Sequence, residues 1–402
     1  MNIGIVGKPS VGKSTFFKAA TLSEVDIANY PFTTIKPNHA VGFVKIKDIA
    51  QDMGKEANPR MGYVQGKFRF VPVDLMDVAG LVPGAHKGEG MGAQFLNDLN
   101  QADALVHVID ISGSVNEKGE PVEAGSYDPA NDIRFLEVEL DHWYEEILKR
   151  GWDKFVRVMQ QEKSEVFKAI AKQMSGLGVT EDIAKASLKV LGLNEIQASN
   201  WSDEQSFALA GELRKRTKPM LIAANKSDSP VGKENLVRLR KEFPSYKIIP
   251  TSAEGELALR EAQKKGFIDY IPGETDFNIT EKGKETLSEQ QQAGLEFIKK
   301  SILQSFEEGS GIQEVLNSVV FDLLGRKAIH PGGVGNLDDK DGNTLPDCFL
   351  MKGNATALDF AYALHSDFGD NFVKAINVQS KMPVGKDAIL NHLDIIEIMS
   401  SK

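Results

Sequence analysis

A glycine-rich loop near the start of the sequence limits the folds open to this chain more than any other feature. Residues 7–14 fit the pattern G-x-x-x-x-G-K-[ST], with an apolar run over residues 3–6 before them and a helix-like stretch over residues 13–21 at their end. Glycines let successive backbone N–H groups turn toward phosphate oxygens, and the helix adds its positive end. The pattern predicts a phosphate-binding loop that consists of Gly7, Lys8, Pro9, Ser10, Val11, Gly12, Lys13, Ser14 and Thr15.

Three further apolar runs, at residues 70–77, 104–110 and 220–225, each end in Asp or Asn. Continuous apolar runs of this kind are typical of parallel strands that are covered on both faces. Ligands of such sheets bind at the carboxyl ends of the strands, where these polar residues fall. The sequence thus predicts an α/β fold with a mostly parallel sheet and a nucleotide site at one edge of that sheet.

Several of these residues are suited to phosphoryl transfer. The Lys13 ammonium can bridge the β- and γ-phosphates, and the Ser14 hydroxyl can ligate Mg²⁺. Asp77 and Gly80 fit D-x-x-G, so Asp77 would hold Mg²⁺ through water and the Gly80 N–H would face the γ-phosphate. Thr34 lies between the loop and Asp77 and can ligate Mg²⁺ when a γ-phosphate is present. We assign catalysis to Lys13, Thr34 and Gly80, and metal binding to Ser14, Thr34 and Asp77.

Residues 225–228, Asn-Lys-Ser-Asp, fit N-K-x-D after an apolar run and predict which base is bound. The Asp228 carboxylate can accept hydrogen bonds from guanine N1–H and from its 2-amino group, and adenine offers neither. A buried acceptor left unpaired can discriminate between the bases by ~10³. Lys226 would pack its stem on the base, and Asn225 would join this loop to the phosphate loop. Ser252-Ala253-Glu254 follows a later strand-like run, and its backbone would meet guanine O6.

Composition excludes several classes of protein. The chain has 402 residues, which indicates two to three domains, and its 47 basic and 57 acidic side chains give a net charge of −10. Any RNA contact must therefore be local, for example near Lys149, Arg150, Lys154 and Arg157. A single cysteine excludes internal disulfides and Cys-rich metal sites, and no apolar run approaches ~20 residues. We expect a cytoplasmic protein that has no membrane partner and forms no stable oligomer.

The alternation of strands and helices stops in the middle of the chain. Residues 131–216 are charged and helical in period, which predicts an inserted helical domain with a long antiparallel pair. Glycines at 332–335 and an acidic turn after them mark a boundary before a small C-terminal unit. We predict a nucleotide-binding domain over residues 1–130 and 217–330, a helical insertion over 131–216 and a C-terminal domain over 331–402.

These motifs in this order resemble the Obg-like GTPases, close to their YchF-like branch. The resemblance covers nearly the whole chain and is carried by the phosphate loop, by residues 30–38 and by a long segment after Asp77 that continues Val-Ala-Gly-Leu-Val-Pro-Gly-Ala-His. The C-terminal unit, with Ala361-Tyr362-Ala363-Leu364-His365, resembles a TGS domain, which is a small β-grasp module. The resemblance implies a P-loop GTPase that binds GTP and GDP with Mg²⁺ and acts as a molecular switch on the ribosome or on structured RNA.

Three positions depart from the patterns of related GTPases. The YchF group often has Glu in place of Asp228, and some of its members prefer ATP, so the Asp of this chain favours GTP. Many Obg-like proteins bind K⁺ with the help of an Asn at the position of Ser10, so the resemblance leaves potassium dependence open. Leu81 stands where Ras-like enzymes have Gln and cannot orient the attacking water, so unaided hydrolysis should be slow. His86 is a candidate replacement base, although a histidine in such a loop is more often without a catalytic contact.

Two alternatives stay open at this point. The first is an ATPase of the same fold, which Asp228 opposes. The second is a nucleotide-gated adaptor for RNA or protein whose hydrolysis is incidental, and Leu81 is compatible with it.

Overall fold

The structure is a computed structural model that describes residues 1–21, 38–78, 98–152 and 165–401. Its first sheet consists of β1 (Asn2–Val6), β2 (His39–Lys47), β3 (Tyr63–Gln65), β4 (Phe68–Asp77), β5 (Ala104–Asp110), β6 (Met220–Asn225) and β7 (Ile248–Thr251). The strands lie in the order β2-β4-β1-β5-β6-β7, and β3 pairs with β4. The five strands β4, β1, β5, β6 and β7 run parallel to one another, whereas β2 and β3 are antiparallel to β4. The predicted mostly parallel sheet is confirmed.

The register of this sheet brings the polar ends of its strands together. Every residue of β5 and β6 is buried, which is why these strands are continuously apolar in sequence. Asp77 at the end of β4 is in register with Ile5, and Asp110 at the end of β5 is in register with Asn225 at the end of β6. Asp77, Asp110 and Asn225 therefore lie along one edge of the sheet.

Helices cover both faces of the sheet. The α-helices whose full extent the structure describes are α1 (Lys13–Thr21), α2 (Ala130–Lys149), α3 (Val166–Gln173), α4 (Glu181–Val190), α5 (Asp203–Thr217), α6 (Pro230–Glu242), α7 (Ala253–Lys264), α8 (Glu281–Thr286), α9 (Glu289–Ile298), α10 (Ile312–Asn317), α11 (Ala357–Leu364) and α12 (Ser366–Asp370). The turns Lys299–Leu303 and Ser318–Leu323 are π-helical and continue α9 and α10. Within the described ranges, no helix combines the length and the apolar composition of a membrane span.

In the part of the insertion that the structure describes, all the regular elements are helices. Lys149 at the end of α2 pairs with Asp203 at the start of α5, with 2.7 Å between Nζ and Oδ1. Arg214 near the end of α5 donates from Nε to Asp141 of α2 at 2.8 Å. Because the end of one helix meets the start of the other, α2 and α5 form the antiparallel pair that the sequence predicted.

A small subdomain lies between α7 and α10. The strands β8 (Ile268–Tyr270) and β9 (Phe277–Ile279) form an antiparallel hairpin, and α8 and α9 follow it. Leu295 of α9 and Leu303 of the following turn share an apolar core with this hairpin and with Leu259 of α7. This core places the end of α9 beside α7.

The C-terminal unit contains a second sheet. Its strands are β10 (Lys327–Pro331), β11 (Phe349–Met351), β12 (Phe372–Asn377), β13 (Met382–Val384) and β14 (Ile395–Ser400). They lie in the order β11-β10-β14-β12-β13, with β10 and β14 parallel and the other pairs antiparallel. Most of β10 precedes residue 331, where the C-terminal domain was predicted to begin, yet the strand belongs to the sheet of this unit. The glycines at 332–335 form a loop inside the unit rather than at its border.

Candidate nucleotide-binding site

The predicted phosphate loop connects β1 to α1, and its backbone requires glycine at positions 7 and 12. Gly12 has φ +90°, and a Cβ on it would lie 2.2 Å from the Asn225 side-chain nitrogen. A Cβ on Gly7 would lie 2.5 Å from the Val108 carbonyl oxygen of β5. Because both approaches are closer than any side chain permits, the loop can pack against β5 and β6 only with glycine at these positions.

Asn225 joins the three nucleotide motifs. Its side-chain amide donates from Nδ2 to the Val11 carbonyl oxygen at 2.9 Å, and its Oδ1 accepts from the Ala253 N–H at 3.0 Å. The side chain is buried, so both bonds form away from water. The phosphate loop, the N-K-x-D loop and residues 252–254 are thereby held as one unit.

Lys226 lies in the left-handed region, with φ +63°, and its ammonium is held by β5. Nζ donates to Asp110 Oδ2 at 2.9 Å and to Ser114 Oγ at 3.2 Å. Burial alone would raise the pKa of the Asp110 carboxyl, but hydrogen bonds from Ser112, Ser114 and Lys226 outweigh it and hold that pKa below its ordinary value. No role was assigned to Asp110 from the sequence, although it ends one of the three apolar runs whose polar ends were predicted to lie at the site.

A cavity of about 720 Å³ opens where these loops meet. Of the predicted residues, the cavity is lined by Ser10, Gly12, Thr15, Asn225, Lys226, Asp228, Ser252, Ala253 and Glu254. Three apolar residues of a different element, Phe297, Ile298 and Ile302, form another part of the wall. Nothing local in the sequence indicates their place, since they belong to α9 and its π-helical extension, far along the chain from the motifs.

Lys13 and Asp77 lie in contact on the phosphate side of the site. The Lys13 ammonium and the Asp77 carboxylate form an ion pair at the start of α1 and the end of β4. The Ser14 hydroxyl lies one residue further along α1, and Ser14 is exposed. A hydroxyl and a carboxylate are hard oxygen donors that fit Mg²⁺, which takes one or two protein ligands and completes its shell with phosphate oxygens and water.

The Lys8 side chain does not belong to this cavity, in contrast to its assignment with the phosphate-binding residues. Nζ donates to Asp132 Oδ1 on α2 at 2.9 Å and to the Val115 carbonyl oxygen at 2.9 Å. It also lies 3.8 Å from the centre of the Tyr127 ring. The motif reports the course of the backbone but not the direction of this side chain, so only the Lys8 backbone remains a candidate for phosphate contact.

Four residues with predicted or discussed roles lie outside the described residues. These are Thr34, Gly80, Leu81 and His86. Lys154 and Arg157, which were named for local RNA contact, also lie outside them. Their assignments stay predictions.

Comparison with protein families supports the motif order. The model of the 50S ribosome-binding GTPases matches residues 2–139. The model described as "Obg-like GTPase YGR210-like, G4 motif-containing domain" matches residues 223–332, and the TGS domain matches residues 340–400.

Individual relatives extend this match to the full chain. An uncharacterized GTP-binding protein of Methanocaldococcus jannaschii is 45% identical over 99% of both chains. The ribosome-binding ATPase YchF of Bacillus subtilis is 33% identical over 66% of this chain and 69% of its own length. The crystal structure of a GTP-binding protein from Pyrococcus horikoshii is 37% identical, covers 100% of both chains and superposes with a TM-score of 0.77.

Proposed function

This chain belongs to the Obg-like GTP-binding proteins, close to their YchF-like branch, and from that premise we propose that it is a slow GTPase that acts as a molecular switch. One observation carries the proposal. The Asn225 side chain holds the phosphate loop and residues 252–254 together, and Asp228 lines the same cavity as both. A nucleotide whose phosphates lie on the loop would thus present its base to an acceptor that fits guanine.

The proposed mechanism relies on electrostatic stabilisation. Proteins with this P-loop domain generally use Mg²⁺, which neutralises charge on the β- and γ-phosphates when it is bound. We assign the binding of Mg²⁺ to Ser14 and Thr34 directly and to Asp77 through water. Lys13 and the backbone N–H groups of the loop would stabilise the charge that develops on the transferring phosphoryl group. Leu81 cannot orient a water molecule, so turnover of the chain alone should be slow.

An ATPase is the second candidate, because relatives that match about two thirds of this chain are named ATPases. Asp228 favours GTP instead, because its carboxylate can accept the hydrogen bonds that guanine donates. The word "ribosome-binding" in the names of relatives suggests the ribosome as the partner of this chain as well. An adaptor with incidental hydrolysis would bind that partner in a nucleotide-dependent way and show turnover that ribosomes leave unchanged.

We expect Asp228→Ala to lower the affinity for GTP and GDP by roughly 10²–10³, since the variant removes both hydrogen bonds to the guanine edge. Titration with fluorescent GTP, GDP, ATP and ADP in Mg²⁺ buffer measures this. Asp182→Ala, at an exposed carboxylate on α4, is the matched control and should bind as the wild type does. Wild-type affinity for ATP that equals or exceeds that for GTP would overturn the guanine assignment and favour the ATPase.

A further inference from the structure

Phe297 is an aromatic residue exposed at the edge of the nucleotide cavity. Its side chain is 60% exposed, although it lies on the same helix as Leu295 and Ile298, which pack toward the core. The core of this subdomain therefore does not explain why an aromatic residue occupies position 297. An exposed Phe that lines a cavity is a surface onto which a flat apolar ligand can stack.

The part of the cavity that Phe297 faces can be identified from its neighbours. Ile302, one turn further along, touches the start of α7, because a Cβ on Gly255 would lie 2.6 Å from Ile302 Cδ1. Gly255 directly follows Ser252-Ala253-Glu254, the segment predicted to meet guanine O6. The apolar wall thus adjoins the base end of the site, whereas Lys13 and Asp77 lie at the phosphate end.

The chemistry of a purine fits this wall. A purine has two flat faces as well as a hydrogen-bonding edge, and Asp228 can recognise only the edge. The stem of Lys226 is the proposed cover for one face. Glu254, which lines the same cavity, offers only a short stem and a carboxylate for the other face.

We propose that Phe297 is the base-stacking residue of this site and that α9 supplies the cover over the purine. The inference rests on the proposed nucleotide binding but not on the choice of guanine, because stacking tolerates every base. Phe297 therefore sets affinity for nucleosides, Asp228 sets which purine is preferred, and the phosphate loop binds independently of both. The subdomain between α7 and α10 thereby becomes part of the nucleotide site.

The test compares nucleotides with a ligand that lacks a base. In full-length protein with Mg²⁺, Phe297→Ala should weaken GDP and ADP alike, by about 5- to 100-fold, relative to the wild-type affinity for each. The affinity for inorganic pyrophosphate, measured by competition, should stay the same. Phe297→Tyr should retain wild-type affinity because the ring is kept. Val237→Ala, which removes an equally exposed apolar side chain (59%) from α6, is the matched control and should change nothing.

The emission of the variant Phe297→Trp tests for a direct contact between position 297 and the base. The three natural tryptophans, Trp143, Trp152 and Trp201, lie in the helical insertion, so a change in emission on GDP binding that exceeds the wild-type change reports on position 297. Wild-type GDP affinity in Phe297→Ala would overturn the proposal, and so would an equal loss of GDP and pyrophosphate. A wild-type preference for ADP together with the loss in Phe297→Ala would overturn only the guanine assignment.

Discussion

A single buried lysine shows how the residues around the phosphate loop depend on one another. Lys8 is 7% exposed and Asp132 is 5% exposed, and Tyr127 donates its hydroxyl to the same carboxylate at 2.9 Å. Burial raises the pKa of the Asp132 carboxyl in spite of the hydrogen bonds from Lys8 and Tyr127. Burial, with a smaller contribution from the Lys8 charge, lowers the pKa of His107 on β5 to about 3. His107 is therefore neutral at physiological pH beside a cation.

The neutral His107 predicts acid sensitivity. The pKa of His107 in the folded chain is below the ordinary 6.5, so the unfolded chain binds a proton at pH values at which the folded His107 stays neutral. The resulting stability is complete above about pH 6.5 and falls as the pH drops from there toward about 3, by up to ~1.4 kcal/mol per pH unit. His107→Gln should flatten this slope in urea unfolding measured between pH 7 and pH 4.5. An unchanged slope would contradict the prediction, and His365→Gln at an exposed site is the control.

At the scale of elements, the sequence predicted what depends on pattern and missed what depends on tertiary placement. β1, β4, β5 and β6 were evident because strands covered on both faces are continuously apolar. The helices α9 and α10 each continue into a π-helical turn, which the apolar period of a sequence does not report. Phe297 was not predicted because its position in the site depends on the packing of elements that are far apart in the sequence.

The contact between the phosphate loop and α2 also depends on tertiary packing, and it links the helical insertion to the nucleotide site. Asp132 lies in the first turn of α2, so the helix is fixed to the second residue of the loop. The segment between β5 and α2 adds a close contact, since a Cβ on Gly119 would lie 2.8 Å from Pro9 Cβ. A displacement of α2 must therefore move the loop or break the buried ion pair.

Asp132→Ala should destabilise the protein by about 3–5 kcal/mol, because it leaves the Lys8 cation buried without its carboxylate. It should also weaken nucleotide binding, since the loop loses its attachment to α2. The double variant Lys8→Met/Asp132→Leu should recover most of the stability, because it removes both charges. Urea unfolding and nucleotide titration measure the two effects. Asp203→Asn, which breaks the exposed pair with Lys149, is the matched control, and a loss as large as that of Asp132→Ala would refute the argument.

At the scale of the whole molecule, the segment between β2 and β3 attaches the C-terminal unit to the first sheet. Lys55 pairs with Asp338 at 2.7 Å, and Arg60 pairs with Asp347 at 2.8 Å. An apolar cluster joins the two sides of this contact through Ile49, Ala50, Ala57, Leu337, Leu345, Val378 and Ile395. The contact thus combines an apolar centre with exposed ion pairs. Along the chain, β2 lies between this contact and Thr34, the predicted Mg²⁺ ligand.

Arg69 of β4 should contribute most to this attachment. It is 2% exposed and donates to the Leu345 and Pro346 carbonyl oxygens at 2.6 and 3.0 Å. Arg69→Met would leave the Leu345 carbonyl unpaired, at a cost of about 1–3 kcal/mol if it stays buried, and would leave the Pro346 carbonyl with the Arg60 N–H as its donor, so we expect residues 338–347 to open more often. Hydrogen exchange of their amides should accelerate at least tenfold, whereas Arg60→Met, at a half-exposed ion pair, should change it little. Equal exchange in the two variants would show that surface charges, rather than the buried guanidinium, hold the C-terminal unit in place.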